Sequence, residues 1–166
     1  YFPMSNELVV SPERISSRGF TDGADHRAEL PVVYNQYSRV APENGFEPAY
    51  DNHKMVYVPL FTTSFILDDF FADNKYFGAS TLVIGSASSK TAFGRALMLK
   101  RSGRVKIVGL TSAANKSFVE GLDLYDQVKT YEEIEAIDAG QATAYVDMSG
   151  NKEVLVRVHN HFAENL

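Results

Sequence analysis

The chain has no cysteine and no tryptophan among its 166 residues. Without cysteine there is no disulfide, no thiolate metal site and no thiol nucleophile. A cytoplasmic setting is the matching expectation. Proline is scarce and one-sided: all six prolines fall within the first 59 residues. Long apolar runs are missing as well. The best candidate, 61–71, is interrupted by Thr62, Thr63, Ser64, Asp68 and Asp69, short of the roughly 20 residues that span a bilayer. No membrane partner is therefore expected. The start, Tyr1-Phe2-Pro3, has neither the basic nor the apolar region of a secretory signal. What remains is ordinary for a folded domain, with 45% hydrophobic and 22% charged residues. That composition excludes a disordered or collagen-like chain.

Charge and aromatics divide the chain near residue 79. Residues 1–79 hold 11 acids, 6 cations and 14 of the 20 aromatics, whereas residues 80–166 hold 10 of each charge. From Ser80 to Val119 there are seven cations and no acid. Such a stretch is either a solvated basic face or a field that attracts anions. The net charge of −5 argues against a nucleic-acid partner.

Residues 1–58 read as irregular, with short strand candidates at 7–10 and 55–58 and a loop over 41–53. Residues 61–74 read as a helix capped by Thr62 or Thr63. Phe61, Phe65, Ile66, Phe70 and Phe71 form its apolar stripe, and Asp68 and Asp69 its solvated face. From Thr81 onward the pattern is regular. Strands are expected at 81–84, 105–110, 126–128 and 142–146. Helical segments are expected at 90–100, 117–124, 131–137 and 151–162. Alternating strands and helices give an α/β fold, a parallel sheet with helices on both faces.

Such a sheet binds ligands beyond the carboxyl ends of its strands. The first strand ends in the small-residue turn Gly85-Ser86-Ala87-Ser88-Ser89-Lys90-Thr91. Its amides, its hydroxyls and Lys90 suit a phosphate at a helix N-terminus. Only one glycine of a dinucleotide fingerprint is present, because Ser88 and Thr91 stand at the other positions. A helix cap by Ser88 or Ser89 is the competing reading. The P-loop pattern fails, with Ser89 in place of the glycine before Lys90. The second strand ends in Leu110-Thr111-Ser112, where an NAD-binding fold places an acid for the ribose hydroxyls. No acid follows here, and Thr111, Ser112 and Lys116 suit a 2′-phosphate. NADP is therefore expected ahead of NAD. Asp147, at the last strand end, either binds a ribose hydroxyl or caps the helix near Asn151.

Other chemistry finds little support. His159 and His161 are two apart, which places them on different helix faces and away from a shared metal. Ser64, Ser88 and Ser149 have no nearby histidine in sequence. Tyr34 and Tyr37 are candidate proton donors or structural tyrosines.

The segments Phe61-Thr62-Thr63-Ser64-Phe65, Val83 to Gly94, Val108 to Ser112, Phe118 to Leu122 and Tyr145 to Gly150 resemble DUF2855-type proteins. Tyr34 to Tyr37 extends the likeness over most of the chain. The resemblance implies kinship with zinc-less medium-chain dehydrogenases and quinone reductases. Residues 1–60 would be the trailing part of a GroES-like catalytic domain and its connection. Residues 61–166 would be a Rossmann nucleotide-binding domain truncated at its C-terminus, with four strands in the order 3-2-1-4. It further implies an NADP-dependent oxidoreductase acting on a small carbonyl, enone or quinone. The alternatives are a non-catalytic Rossmann scaffold, or another small-molecule enzyme using the same crevice. Exposed sheet edges would favour self-association.

Overall fold

The computed structural model describes residues 6–166. The chain divides into two compact units, residues 1–52 and 53–166. The sequence-based boundary lay at residue 60.

The first unit holds a three-stranded antiparallel sheet in the order β1-β2-β3, built from β1 (Pro12–Ser16), β2 (Gly19–Asp22) and β3 (Gln36–Ser38). The expected strand at 7–10 is not formed, and pairing begins at Pro12 instead. Gly19 is required at its position: a Cβ there would lie 1.8 Å from the Tyr37 carbonyl oxygen. Phe20 and Tyr37 stack across β2 and β3 with ring centroids 4.8 Å apart. That contact gives Tyr37 a structural role. Polar groups do much of the remaining work. Asp22 accepts from the Ser11 and Ala24 amides at 2.9 and 3.1 Å. Arg27 and Asn35 bond each other reciprocally, Nε to Oδ1 and Nδ2 to the Arg27 carbonyl, both at 3.0 Å.

A long helix follows, α1 (Asp51–Asp73), with Pro59 inside it. The sequence placed a loop over 41–53, a strand at 55–58 and a helix only from 61. An apolar run of four residues cannot separate strand from helix by itself. Here it continues the helical pattern that follows, and one proline removes only one ladder bond. Thr62 and Thr63 are not caps: their hydroxyls donate back to the carbonyls of Val58 and Pro59, at 2.7 and 3.2 Å. The expected apolar stripe is mostly outside, since Phe65, Ile66 and Phe70 are more than half exposed while Phe71 is buried. The expectation of no membrane-length segment is also corrected. The helical stretch Pro48–Asp73 is long and apolar enough, by length and composition alone, to cross a membrane.

The parallel sheet comprises β4 (Thr81–Ile84), β5 (Lys106–Thr111), β6 (Gln127–Thr130) and β7 (Thr143–Val146). Its spatial order is β6-β5-β4-β7. The expected order 3-2-1-4 numbered only the parallel strands, whereas three antiparallel strands precede them in the chain. The connecting helices are α2 (Lys90–Ser102), α3 (Lys116–Gly121) and α4 (Lys152–Phe162), and a 3-10 segment spans Tyr131–Ala136. Ser89 caps α2 by accepting from the Ala92 amide. Gly103, at φ 61°, ends that helix with a bond from its amide to the Leu99 carbonyl.

Strand alternation feeds two cores. Leu82, Ile84 and Ile107 pack with Ala92, Ala96 and Leu99 of α2 and with Phe71 of α1. Val83, Val108 and Leu110 pack on the opposite face with Ile134 and with Val154, Val158 and Phe162 of α4. Helices thus cover both faces, and the carboxyl ends of all four strands share one rim.

The basic stretch contains one residue that is not surface at all. Arg95, on α2, is fully buried. Its guanidinium pairs with Asp68 of α1 and lies 5.1 Å from the Phe71 ring centroid. Burial pulls Arg95 below the usual guanidinium range, and Asp68 opposes that shift. The solvated reading of Asp68 is therefore corrected. Beside this pair, the Ser64 hydroxyl donates to the Thr91 carbonyl at 2.8 Å. A Cβ on Gly94 would lie 2.8 Å from that same hydroxyl oxygen. The small residue is what lets α1 approach α2.

Candidate functional site at the sheet's carboxyl rim

The turn from β4 into α2 stands on this rim, and its backbone groups can be accounted for one by one. The Gly85 amide donates to the Val146 carbonyl at 2.9 Å and the Ala87 amide to the Leu110 carbonyl at 2.8 Å. These bonds tie the turn to β7 and β5. Ser86 adopts φ 51°, an uncommon conformation for a residue with a side chain. Its amide donates to the Tyr131 hydroxyl at 3.1 Å. The Ser89 amide turns back to the Ser86 carbonyl. Among the described residues, the amides of Ser88, Lys90 and Thr91 have no acceptor within the protein. The last two open the 13-residue helix α2, where orphan N–H groups and the helix dipole favour an anion. Lys90 is exposed and makes no ion pair among the described residues.

Three tyrosines that the sequence reading did not single out for this rim surround the turn. The Tyr125 hydroxyl donates to the Ala87 carbonyl at 2.9 Å. Tyr131 holds the Ser86 amide, as above. The Tyr145 hydroxyl sits over Gly85, where a Cβ would meet it at 2.5 Å. Burial raises the pKa of Tyr125, and burial with the nearby Asp147 raises that of Tyr145, so both phenols remain protonated donors at neutral pH. The signal for them was their position, at or beside the strands that end on this rim.

The second strand end differs from expectation. Thr111 is only 1% exposed and its hydroxyl has no partner, so this side chain faces the interior. Ser112 starts the 3-10 turn Ala113–Asn115 without a side-chain capping bond. The Asn115 side-chain Nδ2 donates to the Ser88 hydroxyl at 3.2 Å, linking this loop to the first turn. Lys116 is not free: its ammonium lies 3.0 Å from the Glu133 carboxylate. Glu133 comes from the segment after β6 and also accepts from the Thr130 amide at 2.8 Å, completing a capping box. That backbone bond, then Lys116, lowers Glu133 from an ordinary 4.5 to about 2. The fold therefore brings an acid to a strand end where the sequence shows none.

Asp147 divides the two expected roles. It does not cap α4, which Asn151 does by accepting from the Glu153 and Val154 amides at 2.9 and 3.2 Å. Instead, Asp147 Oδ1 accepts from the Ser149 amide and hydroxyl and from the Gly150 amide, at 2.7–3.2 Å. Burial opposes its charge, but these donors outweigh it and hold the carboxyl below its usual range. A Cβ on Gly85 would stand 3.4 Å from the same oxygen, so Asp147 borders the first turn.

The rim thus brings together Gly85, Ser86, Ser88, Ser89, Lys90, Thr91 and Asp147, with Ser112 and Lys116 on the loop tied to Ser88. No group of three or more metal-ligating side chains occurs among the described residues. The chemistry available is anion binding by free amides and a cation, next to neutral phenols. No curated protein and no solved structure matches the chain. One family model does, over residues 1–166, and the chain belongs to that family, described as "Protein of unknown function (DUF2855)".

Proposed function

We propose that this chain is the nucleotide-binding portion of an oxidoreductase akin to the zinc-less medium-chain dehydrogenases, with a nicotinamide cofactor across the carboxyl rim. One observation carries the reading: three amides without a protein acceptor, at Ser88, Lys90 and Thr91, lie within four residues of one another at the start of α2, on the same turn as exposed Lys90. A phosphate accepts from such a set without displacing a protein bond. The fit is narrower than a full dinucleotide turn, because the Ser86 amide is held by Tyr131 and the space over Gly85 by Tyr145. The adenosine end would lie near Ser112, Lys116 and Glu133. Lys116 favours a 2′-phosphate and Glu133 favours free ribose hydroxyls, so NADPH and NADH compete through one ion pair. When bound, the cofactor supplies hydride for a small carbonyl, enone or quinone. The protein binds and orients, and Tyr145 holds a proton at its hydroxyl.

The occupied turn favours a second reading, a Rossmann-like scaffold whose crevice the tyrosines have closed. Titration separates the two. NADPH and NADH are added to the intact chain while cofactor fluorescence and melting temperature are followed. The oxidoreductase reading expects saturable binding that weakens about tenfold or more in Lys90→Ala, and Glu133→Gln should shift preference toward NADPH. No response to either cofactor at millimolar concentration sinks it in favour of the scaffold.

A further inference from the structure

The three phenols around the turn after β4 differ in where their protons go. The Tyr125 hydroxyl donates to the Ala87 carbonyl at 2.9 Å. The Tyr145 hydroxyl has the Asp147 carboxylate as its acceptor, at 3.4 Å. Tyr131 does the opposite. Its oxygen accepts from the Ser86 amide at 3.1 Å, and its proton goes to no acceptor among the described residues. A phenol can accept and donate at once. Tyr131 is partly exposed, so a ligand can reach the unused proton.

Both sides of this contact are held in place. Tyr131 opens the 3-10 segment Tyr131–Ala136, directly after Thr130, whose capping box with Glu133 fixes that first turn. Its ring packs on the apolar cluster that includes Val83, Val108 and Ile134. Opposite it, Ser86 keeps φ 51°. Such a conformation is disfavoured for a residue with a side chain, persists only where the surroundings enforce it, and is commonest at functional sites. A second unused hydroxyl stands on the same rim. A Cβ on Gly109 would lie 2.9 Å from the Ala87 Cβ. Thr111 follows two residues on, along the same face of β5, with its buried hydroxyl unpartnered. Buried polar groups are nearly always bonded, to protein, to water or to a bound molecule.

We propose that Tyr131 is a ligand contact of this turn: its hydroxyl accepts from the Ser86 amide and donates to a phosphoryl oxygen, so that the crevice selects diphosphates over monophosphates. This role rests on the rim being a nucleotide site. One phosphoryl group is held by the amides of Ser88, Lys90 and Thr91, and the second by the phenol. The Ser86 amide polarises that phenol, as successive hydrogen bonds in a chain do.

The test titrates ADP and AMP, which differ by one phosphoryl group, into the full chain by calorimetry. Tyr131→Phe removes the hydroxyl and keeps the ring in its cluster. It should weaken ADP about tenfold or more, the loss expected for one hydrogen bond to a charged group, and leave AMP within about twofold. Tyr125→Phe removes a support of the turn rather than a ligand contact, and should weaken both nucleotides by the same factor. Hydrogen exchange at the Ser86 amide should quicken in Tyr131→Phe while the β5 amides keep the parent rate, which shows that the variant is folded. Equal weakening of ADP and AMP in Tyr131→Phe overturns the proposal and leaves the nucleotide site standing. Tighter ADP binding overturns it too, because the phenol would then occupy the place of the ligand. Failure of ADP, AMP and NADPH alike to bind the parent chain removes the nucleotide site and this role with it.

Discussion

The two units are held together by different means. In the parallel-sheet unit, Leu82, Val83, Ile84, Val108 and Leu110 are completely buried, and two apolar clusters lie on the two faces of one sheet. In the antiparallel unit, Ala41 is the single buried hydrophobic residue among those described, beside buried Asp22 and Asn35. That unit relies on backbone pairing, one aromatic stack and a polar network around Asp22, Arg27 and Asn35. Apolar burial contributes roughly 25 cal/mol per Å², while a net hydrogen bond contributes only about 1 kcal/mol. The sheet unit should therefore be the stable one, and the antiparallel unit should open first.

The sharpest break of this contrast is in the core. Leu82→Ala should destabilise the sheet unit by about 3 kcal/mol, read as a lower urea midpoint with unchanged slope. Little effect would mean that the fully buried Leu82 does not carry the packing of the central strand. Asp68→Ala ranks next. It strands a buried guanidinium on α2, at a cost of about 3 kcal/mol, the low end for a buried pair because Asp68 keeps some contact with water. The double variant Asp68→Ala with Arg95→Met should recover much of that loss. Failure to recover would show that Arg95 does more than neutralise Asp68.

Smaller effects test the polar unit. Asp22→Ala should speed hydrogen exchange at the Ser11 and Ala24 amides, which bond to it, while leaving exchange in β4 and β5 unchanged. If β4 slows or speeds in step, the units do not open independently. The smallest effect is a matter of pH. Glu133 is held at about 2, well below its unfolded value of 4.5. Its contribution is therefore present above pH 4.5 and disappears as pH falls toward 2. Glu133→Gln should lower the melting temperature slightly at pH 7 and should flatten its decline between pH 4.5 and 2. A decline as steep as that of the parent chain would exclude Glu133 as its source.

Much of the sheet unit was legible because its local signals agree. Thr81 to Ile84 is a short apolar run, Ser89 caps a helix, Gly103 ends one, and each apolar face has the period of its element. Alpha1 was misread in part because Pro59 resembles a stop and 55–58 resembles a strand. The site turn was visible as a run of small residues, but its neighbours were not. Tyr125, Tyr131 and Tyr145 reach it from 36 to 56 residues downstream of Ser89, and Glu133 meets Lys116 across the gap between two strand ends.

By itself the sequence determined the alternation of strands and helices, the turn after β4 and the absence of thiol chemistry, since these depend on residue type and local spacing. Only the tertiary structure decided that Arg95 is a buried ion, that Glu133 pairs with Lys116 and that tyrosines occupy part of the turn after β4. Those properties arise from contacts between residues far apart in the chain. Such contacts set burial and charge pairing, which no local pattern encodes.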